Sequence, residues 1–117
     1  MDLKLKGKTA LVTGSTAGIG FAIAKRLAEE GVDVVITGRN QRKLDEAAAE
    51  LSQAGTIRAV LADPATAEGA EALIAAVPAV DILVNNLGIY EAKPFAEISD
   101  ADWHNIFEVN VVSGARL

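Results

Sequence analysis

Thr13-Gly14-Ser15-Thr16-Ala17-Gly18-Ile19-Gly20 decides how the rest of the chain is read. The apolar run Thr9-Ala10-Leu11-Val12 leads into it. Phe21-Ala22-Ile23-Ala24-Lys25-Arg26-Leu27-Ala28, apolar at helical spacing, leads out. Strand, glycine-rich turn and helix in that order make a seat for a pyrophosphate. The N–H groups of the turn and the positive end of the helix dipole converge on one anion. The glycines allow the tight turn, the approach of backbone to phosphate and the close packing of helix on strand. The spacing is Gly-x-x-x-Gly-x-Gly, not G-x-G-x-x-G, and no Gly-Lys-Ser/Thr follows as in a triphosphatase phosphate loop. The competing reading is an ordinary strand-to-helix turn that holds three glycines; the order of elements around it weighs against that.

The chain has 117 residues, the size of one domain. Hydrophobic residues make up 50% and aromatics only 4%, so the core is built from Ala, Val, Leu and Ile. That is the palette of a parallel sheet covered by helices. The net charge of −5, with no block of Lys or Arg, argues against a nucleic-acid partner and against an anionic membrane. With no cysteine there is no disulfide framework or thiolate metal site, and the single histidine, His104, cannot build a metal site alone. No apolar run approaches the ~18 residues of a membrane span, and Met1-Asp2-Leu3-Lys4-Leu5-Lys6 has no signal-peptide core. The expectation is a cytoplasmic protein.

Outward from the glycine turn the pattern repeats. Residues 8–14 predict a first strand and 19–30 a helix, with Ile19, Ile23 and Leu27 on one face and Gly31 as its stop. Residues 32–37 predict a second strand. Asn40 caps a second helix with a stripe of Leu44, Ala47, Ala48 and Leu51, ended by Gly55. Residues 56–61 predict a third strand. Ala70, Leu73, Ile74 and Val77 mark a third helix that stops before Pro78. Residues 80–85 predict a fourth strand. A loop follows, and then Ser99, with Asp102 three residues on and Ile98 and Trp103 in staple positions, opens a fourth helix with an apolar face of Trp103, Ile106 and Phe107. Alternating strands and helices imply right-handed crossovers. The expected fold is α/β: a Rossmann-type, doubly wound parallel sheet of about four strands in the order 3-2-1-4, with helices on both faces. It is incomplete, with strand 4 as a bare edge.

Arg39 carries an inference of its own. A site for NAD places an acid at the end of the second strand to bind the ribose 2′-hydroxyl. Thr37-Gly38-Arg39-Asn40 offers an arginine instead, with Arg42 and Lys43 behind it. Its fork suits a 2′-phosphate, so the expected cofactor is NADP, with NAD as the alternative. The competing reading is a solvated arginine at a helix start, where a cation gains nothing from the dipole. Asn85, Asn86 and Gly88 close the fourth strand at its carboxyl end, where open α/β sheets bind ligands; equally, asparagines serve turns of αL geometry. Asp63 before Pro64 reads as a helix N-cap with proline at the first helical position. Asn110 lies seven residues after Trp103 and is expected on the same buried face. Tyr90 and Lys93 sit three apart in a loop and are rejected as a catalytic pair. His104 reads as a surface or packing residue and Trp103 as core or part of the staple.

These residues resemble the short-chain dehydrogenase/reductase family. Thr13 to Gly20 is similar to its T-G-x-x-x-G-I-G motif, Asn85-Asn86-Leu87-Gly88 to its N-N-A-G motif, Asn110 to its helix-4 asparagine and Asp63 to its acid after strand 3. The resemblance implies that Gly14, Ser15, Thr16, Gly18, Ile19 and Gly20 cradle the pyrophosphate and adenosine ribose. It implies that Asp63 contacts adenine, that Asn85, Asn86 and Gly88 contact the cofactor, and that Asn110 helps complete the catalytic site. Leu87 stands where the family has alanine, which implies local repacking on the nicotinamide side. The family's catalytic serine, and its tyrosine and lysine four residues apart, lie beyond helix 4. Residues 1–117 therefore resemble the cofactor-binding half of such an enzyme, truncated before that segment and inactive alone. The intact reaction implied is hydride transfer between nicotinamide and a small carbonyl or alcohol substrate, in a homo-oligomer. The alternative is a nucleotide-binding or dimerisation module without turnover. A flavodoxin-like or response-regulator domain explains neither the glycine turn nor the lack of a phosphoacceptor acid cluster.

Overall fold

Short runs of β-branched and aliphatic residues form four strands, and each strand but the last feeds a helix that packs back on the sheet. The computed structural model describes residues 2–89 and 92–117. In order they form β1 (Thr9–Val12), α1 (Gly18–Glu29), β2 (Asp33–Gly38), α2 (Gln41–Leu51), β3 (Ile57–Leu61), α3 (Ala67–Ala76) and β4 (Ile82–Val84). A 3₁₀ turn at Phe95–Glu97, α4 (Asp100–Phe107), a π-turn (Glu108–Val112) and α5 (Ser113–Arg116) follow. All strand pairs are parallel and the order is β3-β2-β1-β4, as expected. Alternation in the strands divides the core. Ala10, Val12, Val34 and Ile36 face α1 and α2, where they meet Ala24, Ala28, Leu44, Ala47 and Leu51. Leu11 and Val35 face the other way, toward Leu73 of α3 and Leu117.

The helix ends show why the sequence folds locally as it does. Gly31, at φ +84°, closes α1: its N–H donates to the Ala28 carbonyl and that of Val32 to the Leu27 carbonyl. Asn40 caps α2 by accepting the Lys43 N–H at 3.1 Å. Ser99 and Asp102 form the expected capping box on α4. At the other end of the sheet, Asp81 Oδ2 accepts the Thr9 N–H at 2.9 Å and pins the start of β4 to β1.

Five expectations fail. Ile19 is 74% exposed, and the buried stripe of α1 is Gly20, Ala24 and Ala28, one residue along from the predicted face. The helix lies so close to the sheet that only the smallest residues fit beneath it. Gly55 does not end α2, which stops at Leu51; a Cβ at Gly55 would come 2.7 Å from the Ala28 carbonyl oxygen, so close packing on α1 is its role. Asp63 is not the cap of α3. Thr66 is, accepting the Gly69 N–H at 3.0 Å, while Asp63 Oδ1 accepts the Ala65 N–H in a turn of its own. Lastly, the aromatic face of α4 is not core: Trp103 is 53% and Phe107 58% exposed, and no residue of α4 is buried. Asn110, beyond it, is exposed as well. Periodicity reports which residues share a face, and here the described sheet ends at β4 without covering that face.

Two predictions follow from this packing. A Cβ at Gly20 would collide with the Gly14 carbonyl and stand 2.5 Å from Asn86 Nδ2. Gly20→Ala is therefore expected to destabilise by about 1–3 kcal/mol despite its better helix propensity, read from the denaturant midpoint; an unchanged midpoint would refute the contact. The second concerns the α4 cap. The Asp102 carboxyl is lowered to about 2, first by the hydrogen bond from Lys93 and then by the Ser99 N–H. Its folded value lies below its unfolded one, so its contribution is full above the ordinary carboxylate range and is lost as pH falls toward 2. An NMR titration should show Ser99 and Asp102 amide shifts moving together in that window and not in Asp102→Asn.

Candidate functional site

The carboxyl ends of the strands converge on the glycine turn, and three hydroxyl-bearing residues there have separate tasks. Thr13, buried at the end of β1, saturates its hydroxyl. Oγ1 accepts the N–H groups of Asn86 (3.0 Å) and Leu87 (3.1 Å) and donates to the Val84 carbonyl (3.3 Å). Ser15, also buried, accepts the Thr37 N–H at 3.0 Å and fixes the turn to the end of β2. Thr16 packs its methyl where a Cβ at Gly38 would come within 2.8 Å, so Gly38 admits Thr16 to the space beside Arg39.

Gly14 and Gly18 both take positive φ, +61° and +62°, which side-chain-bearing residues rarely adopt. Asn86 Nδ2 donates to the Gly14 carbonyl at 3.3 Å, which orients the turn from the β4 side. The N-cap of α1 is Ala17, with no side chain to bond the first helical N–H groups and no acid in the first turn. Those donors are left to an external acceptor, and the dipole favours an anion there.

In front of the turn lies a groove of about 180 Å³. Of the residues singled out in the sequence, Gly14, Thr16, Arg39, Asp63 and Gly88 line it. Ser15, Gly18, Ile19 and Gly20 do not: Ser15 and Gly20 are buried supports, whereas Gly18 and Ile19 are exposed at the start of α1. Asn86 supports Gly14, and Asn85 is set apart, lining a cavity of about 30 Å³ with Thr13, Asn110 and Gly114. Arg39 makes no hydrogen bond or ion pair among the described residues. Arg42 is engaged with Glu46 at 3.1 Å, while Lys43 shares an adjoining groove with Thr16.

Asn110 occupies the π-turn. Its Oδ1 accepts the Ile89 N–H at 2.7 Å and its Nδ2 donates to the Ile89 carbonyl at 3.0 Å, holding the Gly88–Ile89 wall of the groove from behind. A side chain at Gly88 would press on that amide, at 3.1 Å from Oδ1. Tyr90 lies outside the described residues; Lys93 bonds Asp102 at 2.8 Å. Sequence reasoning missed Thr13 as a site residue, though a hydroxyl ending an apolar strand was a signal. It also missed Ala62, Pro64, Ala65, Ile89 and Val109, apolar walls of the groove that no local pattern marks.

Known proteins match this arrangement. The short chain dehydrogenase family profile matches residues 8–117. Oxidoreductase YvaG of Bacillus subtilis is 50% identical over 120 residues, covering 100% of this chain and 46% of that protein. The 3-oxoacyl-(acyl-carrier-protein) reductase FabG of Aquifex aeolicus is 38% identical over 117 residues, covering 95% of this chain and 47% of that one. The solved L-sorbose reductase from Gluconobacter frateurii, complexed with NADPH and L-sorbose, is 37% identical with a TM-score of 0.94, covering 100% of this chain and 47% of that one. The chain spans about half the length of these relatives. Among the described residues, no helix is long and apolar enough to cross a membrane. A profile match over nearly the whole chain, on a parallel sheet whose glycine turn opens into a groove, places this chain in the short-chain dehydrogenase family of oxidoreductases.

Proposed function

We propose that residues 1–117 form the cofactor half of an NADPH-dependent reductase or dehydrogenase, with the family's serine, tyrosine and lysine segment following in the intact enzyme. The observation that carries the reading is Arg39. It lines the groove beside Thr16 and Gly14, and no carboxylate among the described residues neutralises it. An acid at this position would repel a 2′-phosphate; a guanidinium with free donors offers it charge-assisted, bidentate bonds. The relatives add support, since L-sorbose reductase was solved with NADPH.

The residues present fit such a ligand. The uncapped first turn of α1 and the positive-φ glycines receive the pyrophosphate. Asp63, with Oδ1 committed to the Ala65 N–H, keeps its second oxygen for the adenine amino group. Leu87, Gly88 and Ile89 form the wall toward the nicotinamide side. NADPH, when bound, supplies the hydride for a carbonyl substrate, or NADP accepts one from an alcohol. Asn110 acts through Ile89, as a prop for that wall.

A second reading, a nucleotide-binding or dimerisation module without turnover, draws on the exposed Trp103, Phe107 and Val111. Sedimentation of the chain separates the two: a defined dimer indifferent to NADPH supports the second. The first is tested by fluorescence titration with NADPH and NADH. Arg39→Ala is expected to weaken NADPH roughly 10–100-fold, the loss of one or two charged hydrogen bonds, and to leave NADH unchanged. Equal binding of both cofactors by the wild-type chain would remove Arg39 as the selector.

A further inference from the structure

We propose that Arg116 is a positioning residue that joins the two walls of the groove, so that a ligand held against the Asp63–Ala65 wall stiffens the Gly88–Ile89 wall. The inference rests on reading the groove as a nucleotide site.

The Arg116 guanidinium reaches two separate elements. One nitrogen donates to the Ala65 carbonyl at 3.2 Å; the other pairs with the Glu108 carboxylate. Ala65 belongs to the loop Asp63-Pro64-Ala65, which lines the groove on the β3 side. That loop is internally tied: Ala65 N–H to Asp63 Oδ1, and both the N–H and the hydroxyl of Thr66 to the Asp63 carbonyl. It therefore moves as a unit. Glu108 opens the π-turn, whose next residue, Val109, is buried and lines the same groove. The residue after that, Asn110, holds the Ile89 backbone at both its N–H and its carbonyl.

A path thus runs from Asp63 through Ala65, Arg116 and Glu108, along the π-turn by way of Val109, to Asn110 and Ile89. Arginine suits the junction because its planar fork serves two acceptors at once, which an ammonium does poorly. The Arg116 side chain is 27% exposed and that of Glu108 43%, so the pair fixes geometry more than it adds stability. Leu117 beside it packs in the cluster of Leu73, so α5 is seated on α3 and the arginine is not a dangling terminus. Single π-turns within helices occur frequently at functional sites.

The test uses adenosine 2′,5′-bisphosphate, which carries the adenine and the 2′-phosphate without the nicotinamide half, so that slowing at Ile89 by direct contact alone would persist when the strut is cut. Amide hydrogen exchange is followed in the wild-type chain and in Arg116→Ala, each saturated with the probe. In the wild type the probe is expected to slow Ile89 exchange by roughly threefold or more, as a stiffened wall opens less often. In Arg116→Ala the probe still binds but the slowing is lost. Glu108→Ala removes the acceptor of the other arm, leaves the Arg116 side chain in place and gives the same loss. Slowing that persists in both variants overturns the proposal. If the wild-type chain binds neither the probe nor NADPH, the nucleotide reading fails, and ligand-free exchange still judges the strut. Faster exchange at Gly69 and Ile89 in Arg116→Ala upholds the mechanical link; unchanged exchange at both refutes it.

Discussion

Everything at this site depends on how closely α1 lies against the end of β1. The first turn of the helix is pressed on the Gly14 carbonyl and the Asn86 side chain, and the contact exists only because Gly20 has no Cβ. A methyl group there would push the helix away, and the open N–H groups of its first turn would move with it. The spacing of the glycine motif is a statement of that distance. Gly14 and Gly18 supply the unusual dihedrals and Gly20 supplies the proximity. An anion site made of backbone donors needs both, since its geometry is fixed by the chain and not by rotamers.

Hydroxyl groups then lock the turn to its surroundings. Thr13 spends its donor and both acceptor positions on the β4 side, and Ser15 spends its oxygen on Thr37 of β2. Buried and fully satisfied, they stabilise the loops that meet at the top of the sheet without leaving an unpaired polar atom. This division separates residues that support the groove from those that face it. Ser15, Gly20 and Asn86 belong to the first group, whereas Thr16, Arg39, Asp63 and Gly88 belong to the second. A motif of consecutive residues thus does two kinds of work, because adjacent positions in a tight turn point in different directions.

Electrostatics gives the groove its polarity. The chain is acidic overall, yet the rim of the groove at β2 presents Arg39 with no described partner, while the neighbouring Arg42 is occupied by Glu46. Exposed pairs such as Arg42–Glu46 contribute little to stability, and among the described residues Arg39 and the Lys43 ammonium carry no such pair. The far wall is held differently, by the amide of Asn110 gripping Ile89 at both backbone groups. Charge therefore acts at the β2 rim of the groove and backbone positioning at the Gly88–Ile89 wall.

Local signals in the sequence determined the strand and helix order, the parallel sheet, the caps at Asn40 and Ser99, the stop at Gly31 and the glycine turn. Each of these is set by neighbours within a few residues: a two- or 3.6-residue period, a side chain able to reach its own backbone, or a dihedral that favours glycine. The tertiary structure decided what those elements touch. The sequence could not say that α1 would bury Gly20, Ala24 and Ala28 instead of Ile19, because the depth of the helix on the sheet is a property of two surfaces. Nor could it show that the stripe of Trp103 and Phe107 would lie exposed, that Thr66 would outcompete Asp63 as a cap, or that Arg116 would reach a carbonyl 51 residues away. Periodicity tells which side chains share a face; only the packed fold supplies the partner for that face.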